Sequence, residues 1–296
     1  MNRRKFPLLL LMPLILLTVL VLSSVVICGV QSLGVLPSLG LSKPTLQYFF
    51  DLAKGNTAAS SGSLLSSAGL SLYITFASSL LSVLAGVLLC WAITLCKKAG
   101  GILRQLLTVP IMLPHLVAAL FTVFLFSQSG VFSRLLYALG LLPSQEAFPS
   151  LLYDQNSVGI ILAYLWKGVP FACYFILPSM SGIEPALYEA AYSMGAEKWK
   201  AFFHITLPIC MSAVLGAFFI LLSYNFGAYE LPFLLGATSP KALPVQAYIE
   251  YTHPDLLHRP YAMAMNTVML LVSLVFAFGW KWADSLILKR WGGGLQ

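Results

Sequence analysis

The stretch EAAYSMGAEKWKAFFHITLP, residues 189–208, carries charged and aromatic residues between two long apolar runs. Just upstream, Pro185 suits the first turn of a helix, and Gly195 is placed to end that helix in a left-handed turn. A second short helix is predicted to follow. We call residues 181–208 the EAA loop, after the first three letters of the stretch, and predict a helix–turn–helix that protrudes from an apolar bundle.

Both helices of the EAA loop are predicted to have one apolar face. The first face comprises Leu187, Ala190, Ala191 and Met194. The second comprises Trp199, Phe202 and Phe203, with Lys198 and Lys200 elsewhere. The small residues would permit close approach by another protein, and an amphipathic helix lying on lipid is the alternative.

The rest of the chain has the composition of an integral membrane protein. Of its 296 residues, 59% are hydrophobic and only 9% are charged, whereas soluble proteins have about 25% charged residues. Apolar runs long enough to cross a bilayer as helices occur at Phe6–Val30, Leu70–Cys96, Leu106–Phe126, Ser157–Pro178, Ile209–Leu235 and Tyr261–Leu288. We predict an all-α integral membrane protein with about six transmembrane helices, organised as a single domain over residues 1–296.

The distribution of Lys and Arg predicts the orientation. If the N-terminus is cytoplasmic, eleven of the 17 basic residues lie inside and five outside, with Lys167 in a span. Both termini and the EAA loop are then cytoplasmic, and the first apolar run is an uncleaved span of the bacterial inner membrane. The net charge of +7 is explained by insertion and by contact with anionic lipid, so no nucleic-acid partner is predicted.

The sequence shows few patterns of residues that are typical of catalytic or metal-binding sites. The five cysteines lie within or at the ends of spans and show neither a disulfide framework nor a metal-binding pattern. There is no nucleophile–base pair, phosphate-binding glycine loop or pair of carboxylates. We therefore predict no catalytic residue, no metal and no cofactor in this chain.

The EAA loop carries a specific motif. Glu189, Ala190, Ala191, Gly195, Ile205, Leu207 and Pro208 fill every position of the pattern EAA-x3-G-x9-I-x-LP. In this the chain resembles the permease subunits of ATP-binding-cassette importers, over roughly residues 65–290, and the resemblance implies their type I fold. It also implies that those seven residues couple the permease to a pair of separate ATPase subunits, and that a second permease subunit and an extracytoplasmic solute-binding protein complete the transporter.

The solute is predicted from a weaker resemblance. The stretches LPHLVAALFTVFLFSQSG, residues 113–130, and FGAYELPFLLG, residues 226–236, look most like the branch of the family that serves polyamines, thiamine and ferric iron. That resemblance implies a polyamine or another small organic cation, with thiamine, ferric iron or another small solute as alternatives.

Two ionisable residues fall within predicted spans, where such residues are functional candidates by default. Glu230 is predicted to share a helical face with Ser223 and Phe226, so that carboxylate and ring could bind a cation. Asn225 is turned away from that face and is a less certain member of the path. Lys167 could also line the path, pair with a carboxylate or snorkel, and Glu230 could be solvated near the outer surface.

Prolines interrupt the predicted spans at Pro110, Pro114, Pro170 and Pro232. Membrane helices tolerate such breaks where a neighbouring helix or a cavity satisfies the freed carbonyl groups. The kinks could serve packing or shape a central path. An ion-coupled secondary transporter is the competing function, but it gives the EAA loop no role.

Overall fold

The computed structural model describes residues 5–55, 63–95 and 100–291, and the regular structure in these ranges is helical. The α-helices, numbered in chain order, are α1 Lys5–Ser32, α2 Gln47–Lys54, α3 Leu64–Leu95, α4 Gly100–Met112, α5 His115–Phe126, α6 Val131–Ala138, α7 Val158–Ser181, α8 Pro185–Ser193, α9 Lys198–Ala201, α10 Leu207–Ile209, α11 Met211–Gly227, α12 Glu230–Leu235, α13 Leu243–Tyr251 and α14 Arg259–Trp291. A π-helical turn, Phe202–Thr206, separates α9 from α10.

Six crossings can be built from these helices. Five described segments are long and apolar enough to span a membrane: Leu11–Ser32, Leu64–Leu95, His115–Ala138, Val158–Ser181 and Leu256–Ile287. The segments Lys198–Ile209 and Met211–Gly227, bent by 66° at their junction, form a sixth if they count as one span. The prediction of an all-α membrane protein with about six spans is confirmed.

Two predicted spans are broken rather than continuous. The third run, predicted as Leu106–Phe126, divides into α4 and α5 at Leu113 and Pro114, where Pro114 has an extended backbone with a ψ of 153° and disfavours helix at the residue before it. The fifth, predicted as Ile209–Leu235, divides at Ala228, whose backbone is extended. The predicted ends of the other spans differ from the observed ones by six residues or fewer, and Cys96 lies outside the described residues.

The centre of the bundle is the contact between α3 and α7. Small residues let the two helices approach closely: a Cβ atom on Gly86 would lie 2.8 Å from the Cβ atom of Ala172. Such close approach through small residues is how helices associate in a membrane, where burial of apolar surface supplies little driving force. Helix α11 packs against both α3 and α7, so these three helices form the core on which the remaining elements are arranged.

Helix α1 lies at the edge of the bundle. Its span is almost entirely exposed, and it contacts the described protein mainly through α14, where the Cys28 thiol lies 3.7 Å from the Thr267 hydroxyl. An apolar helix with so little protein contact requires lipid or another subunit around it.

Candidate coupling loop and solute path

The first helix of the EAA loop ends as its sequence predicts. Gly195 has a φ of +83°, in the left-handed region, and its N–H group donates to the Tyr192 carbonyl at 3.0 Å. The N–H group of Ala196 reaches back to the Ala191 carbonyl, also at 3.0 Å. These bonds satisfy carbonyl groups that the end of α8 leaves free, so the turn is sharp and well defined.

Helix α8 presents an exposed apolar stripe. Ala191 faces the bundle and is buried, whereas Leu187, Ala190 and Met194 are exposed, with Met194 82% accessible. The predicted single face is therefore divided, because one member packs inward. Glu189 is exposed beside the stripe. A carboxylate next to exposed apolar side chains is suited to contact with another protein rather than with lipid.

The second helix does not have the predicted common face. Trp199 and Phe203 are exposed, but Phe202 is buried and stacks on Trp91 of α3, with ring centroids 4.7 Å apart. The π turn that begins at Phe202 changes the angular spacing of the side chains, so a face drawn at 3.6 residues per turn is wrong here. The prediction for Phe202 is corrected accordingly.

The last three motif residues form the root of the loop. Ile205 lies in the π turn, and Leu207 and Pro208 begin α10; all three are half-buried. Their position gives the loop a short helical connection to α11 instead of a flexible tether. The motif residues are thus distributed between an exposed helix, a left-handed turn and a partly buried root.

A group of polar side chains lies where the two broken spans meet α7. We call His115, Lys167, Tyr224 and Glu230 the polar cluster. His115 is the first residue of α5 and Glu230 the first of α12, so each follows a helix break. Broken helices at such a position are a common way of building solute sites in membrane transporters.

Contacts within the polar cluster converge on His115. Its Nδ1 atom lies 3.5 Å from Nζ of Lys167 and 3.6 Å from Oε2 of Glu230, and its Nε2 atom lies 3.0 Å from the Tyr224 hydroxyl. The Glu230 side chain is 49% exposed and Tyr224 51%, while that of His115 is 17% exposed. The cluster therefore combines a cation, an anion and two neutral hydrogen-bonding groups at an accessible surface.

The structure separates the residues predicted for a cation path. Phe226 is fully buried among residues of α2, α13 and α14, and the break at Ala228 removes the helical face that it was to share with Glu230. Asn225 is buried as well, and its Nδ2 atom donates to the hydroxyl groups of Ser78 and Ser79 at 3.1 and 3.2 Å. In this structure Phe226 and Asn225 are therefore packed inside the bundle, and the face predicted to join Phe226 to Glu230 is absent.

Ser223 is half-buried in α11 and is not brought into the polar cluster by any described contact. Sequence reasoning missed His115 and Tyr224, although both lie within apolar runs. His115 follows Pro114 directly, and an ionisable residue beside a helix-breaking proline was a signal that could have identified it.

Two open cavities flank the bundle. One, of about 750 Å³, separates the EAA loop from the adjoining ends of α3 and α4. The other, of about 850 Å³, lies at the opposite end of α7 and is lined by residues between 126 and 153. Its floor is joined to α12, because the N–H group of Tyr153 donates to the Leu235 carbonyl at 3.1 Å.

A bundle of about six crossings, a polar cluster where two of the predicted spans are interrupted, and a protruding loop with an exposed apolar stripe fit a solute permease. The chain belongs to the family of inner membrane components of binding-protein-dependent transport systems, whose model matches residues 83–285. It is thus a multi-pass permease component of the inner membrane that works with a solute-binding protein.

Two relatives from the comparison are distant in sequence. The chain is 24% identical over 217 residues to the sulfate transport system permease protein CysT of Synechocystis sp., covering 73% of this chain and 71% of that protein. It is 28% identical over 190 residues to the probable ABC transporter permease protein YurN of Bacillus subtilis, covering 62% of this chain and 63% of that protein. The expected branch of polyamine, thiamine and ferric iron permeases finds no support in these relatives.

The fold is shared with a solved importer. The chain matches, with a TM-score of 0.78 and 20% identity over 96% of both chains, the crystal structure of a bacterial ABC transporter involved in the import of the acidic polysaccharide alginate. The predicted type I permease fold is confirmed by this likeness.

Proposed function

We propose that the chain is the solute-conducting subunit of an ATP-driven importer, paired with a second permease subunit and two ATPase subunits. The observation that carries this proposal is the EAA loop, whose exposed stripe and Glu189 form a surface for an ATPase while its root joins α11. In the proposed orientation, the EAA loop and both termini are cytoplasmic, and the binding protein docks at the opposite end. The chain itself carries no cofactor and hydrolyses no ATP.

The solute that we favour is a small oxyanion such as sulfate. The ammonium group of Lys167, the N–H of His115 and the hydroxyl of Tyr224 are hydrogen-bond donors within a few ångströms of one another. The N-terminal end of α5 adds a partial positive charge beside them. Glu230 is the first residue of α12, where that helix's own N-terminal end stabilises a carboxylate.

A sulfate permease among the relatives supports the same choice, since its name states its solute. An organic cation, including a polyamine, is the second candidate. It is favoured by the half-exposed carboxylate of Glu230, because Glu230 and Tyr224 both contact His115 and a carboxylate together with an aromatic ring could attract a cation. Sulfate transport would require the charge of Lys167, whereas transport of an organic cation would require the charge of Glu230.

The test is uptake by the purified complex, with its ATPase subunits and binding protein, in proteoliposomes. Lys167→Met should lower radiolabelled sulfate uptake about ten- to a hundredfold, the effect of losing one partly desolvated charge contact. Glu230→Gln should leave sulfate uptake within about threefold, and Lys43→Met, an exposed lysine outside the spans, is the matched control. Spermidine uptake that Glu230→Gln abolishes and Lys167→Met spares would establish the cation instead.

A further inference from the structure

The joint between the EAA loop and α11 is irregular at two successive points. In the π turn, the N–H group of Leu207 donates to the Phe202 carbonyl, five residues back instead of four. A bend of 66° follows at Cys210. Such π turns insert one extra residue into a helix and are frequent at functional sites. A joint with two interruptions is easier to deform than a continuous helix.

One hydrogen bond spans this joint. The hydroxyl oxygen of Tyr188, in α8, lies 2.8 Å from the hydroxyl oxygen of Thr206, the last residue of the π turn. Thr206 is only 4% exposed, so its end of the bond is shielded from water, while Tyr188 is half-buried. The bond fixes the outer helix of the loop to the root from which α10 and α11 continue.

Packing on one side of the loop is incomplete. The cavity of about 750 Å³ lies between α8 and α9 on one wall and the ends of α3 and α4 on the other, and both Tyr188 and Thr206 line it. Phe202 is held by its stack on Trp91, which fixes the start of the π turn to α3. Besides the inward packing of Ala191, the Tyr188–Thr206 bond is the described side-chain hydrogen bond that joins α8 to that turn.

We propose that this hydrogen bond is a brace that makes the EAA loop move as one body with α11. Without the brace, the π turn would absorb the movement that an ATPase imposes on α8. With it, the movement passes to α11, which is about 25 Å long and carries Tyr224 of the polar cluster near its far end. Tyr188 and Thr206 are positioning residues, because they act through α11 and touch no solute.

This inference rests on the attachment of ATPase subunits in the proposed function, but not on the identity of the solute. The test therefore uses a readout that needs no solute. Gly227→Cys places a reporter thiol at the end of α11, at an exposed position where a Cβ atom has no neighbour within 4 Å. Its reaction with a hydrophilic maleimide is measured in the complete complex in nanodiscs, before and after trapping with Mg²⁺, ATP and vanadate. The parent without Gly227→Cys gives the background from the chain's own five cysteines.

Thr206→Val and Tyr188→Phe each remove one hydroxyl with little change of shape. We expect both to retain the ATPase subunits and ATP hydrolysis but to reduce the trapping-dependent change in labelling about three- to tenfold, the effect of one net hydrogen bond on an equilibrium. Thr206→Ser should restore the change. Tyr192→Phe is the matched control, since Tyr192 is an exposed tyrosine one turn further along α8.

An equal change in labelling in Thr206→Val and the wild type would overturn the brace. Loss of the ATPase subunits from Thr206→Val, with no rescue by Thr206→Ser, would also overturn it, because the residue would then serve docking or folding. A wild-type complex without ATPase subunits, or without any change on trapping, would instead contradict the proposed function.

Discussion

The ammonium group of Lys167 lies 2.6 Å from the carbonyl oxygen of Leu113, the residue at which the third apolar run is broken. The last carbonyl groups of a helix lack partners within it, and the hydrocarbon region of a membrane offers no water to replace them. Lys167 thus satisfies a carbonyl freed by the break, while its ammonium group remains beside His115 in the polar cluster. The same lysine stabilises the break and supplies the cluster's positive charge.

This double role predicts a loss of stability on removal of the lysine. Lys167→Met should lower the free energy of unfolding by about 1–3 kcal/mol, because the Leu113 carbonyl is left without its donor. Lys167→Arg, which retains a donor and a charge, should lose less. Thermal unfolding of the detergent-solubilised protein measures the difference, with Lys43→Met as the control. Equal melting temperatures for Lys167→Met and the wild type would contradict the stabilising role of the bond between Lys167 and the Leu113 carbonyl.

The packing role of Phe226 predicts a different pattern from a path residue. Phe226→Ala should cost about 3–5 kcal/mol, since a fully buried ring between α11, α13 and α14 is deleted. Phe233→Ala, at a residue 51% exposed in the next helix, is the control and should cost little. In Phe226→Ala, uptake per folded complex should not fall more for cations than for other solutes. A fall confined to cations would show that Phe226 lines the solute path.

The left-handed turn of the EAA loop predicts which substitutions it tolerates. Gly195→Val should strain the turn by about 1–3 kcal/mol, because a β-branched residue at a φ of +83° is disfavoured although the surrounding space is open. Gly195→Asn should be tolerated better, since asparagine visits this region more readily. Membrane insertion and the amount of ATPase retained by the purified chain are the measurements. We expect the valine variant to insert normally and to lose ATPase, and full retention would contradict the placement of the turn.

The proposed orientation predicts labelling from one side only. Ser144→Cys, exposed at the end of the bundle opposite the EAA loop, should react with an impermeant maleimide added to intact cells. Ala196→Cys should react only after the membrane is opened. Labelling of Ala196→Cys in intact cells would show that the orientation is the opposite of the proposed one. The same orientation predicts labelling from outside near Ser60 and none at Lys98, and both of these residues lie outside the described ranges.

Much of the fold could be predicted from local signals. Hydropathy is enough to find the spans, because a helix in hydrocarbon must satisfy its own backbone groups and therefore needs about 20 apolar residues. Pro185 and Gly195 predicted the limits of the first helix in the EAA loop through backbone conformation alone. These features depend on residues adjacent in sequence.

The features that sequence missed depend on distant contacts. The break at Ala228 was missed although Gly227 directly precedes it, because Pro232 suggested a later interruption. The burial of Phe226 follows from packing by α13 and α14, whose positions no periodicity predicts. The π turn could not be predicted because one extra residue in a helical turn changes the pattern of apolar residues too little to be recognised.

We propose that the EAA loop attaches an ATPase to this permease. The attachment is measured most directly as the amount of ATPase subunit that purifies with the tagged chain from its native membrane in mild detergent. We predict two ATPase subunits per permease pair for the wild type, and about a tenfold loss for Glu189→Lys, where an exposed carboxylate beside the apolar stripe is reversed in charge. Glu146→Lys, an exposed reversal at the opposite end of the bundle, should retain the wild-type amount. A wild-type chain that purifies without ATPase, or a Glu189→Lys chain that retains all of it, would contradict ATPase attachment through the EAA loop.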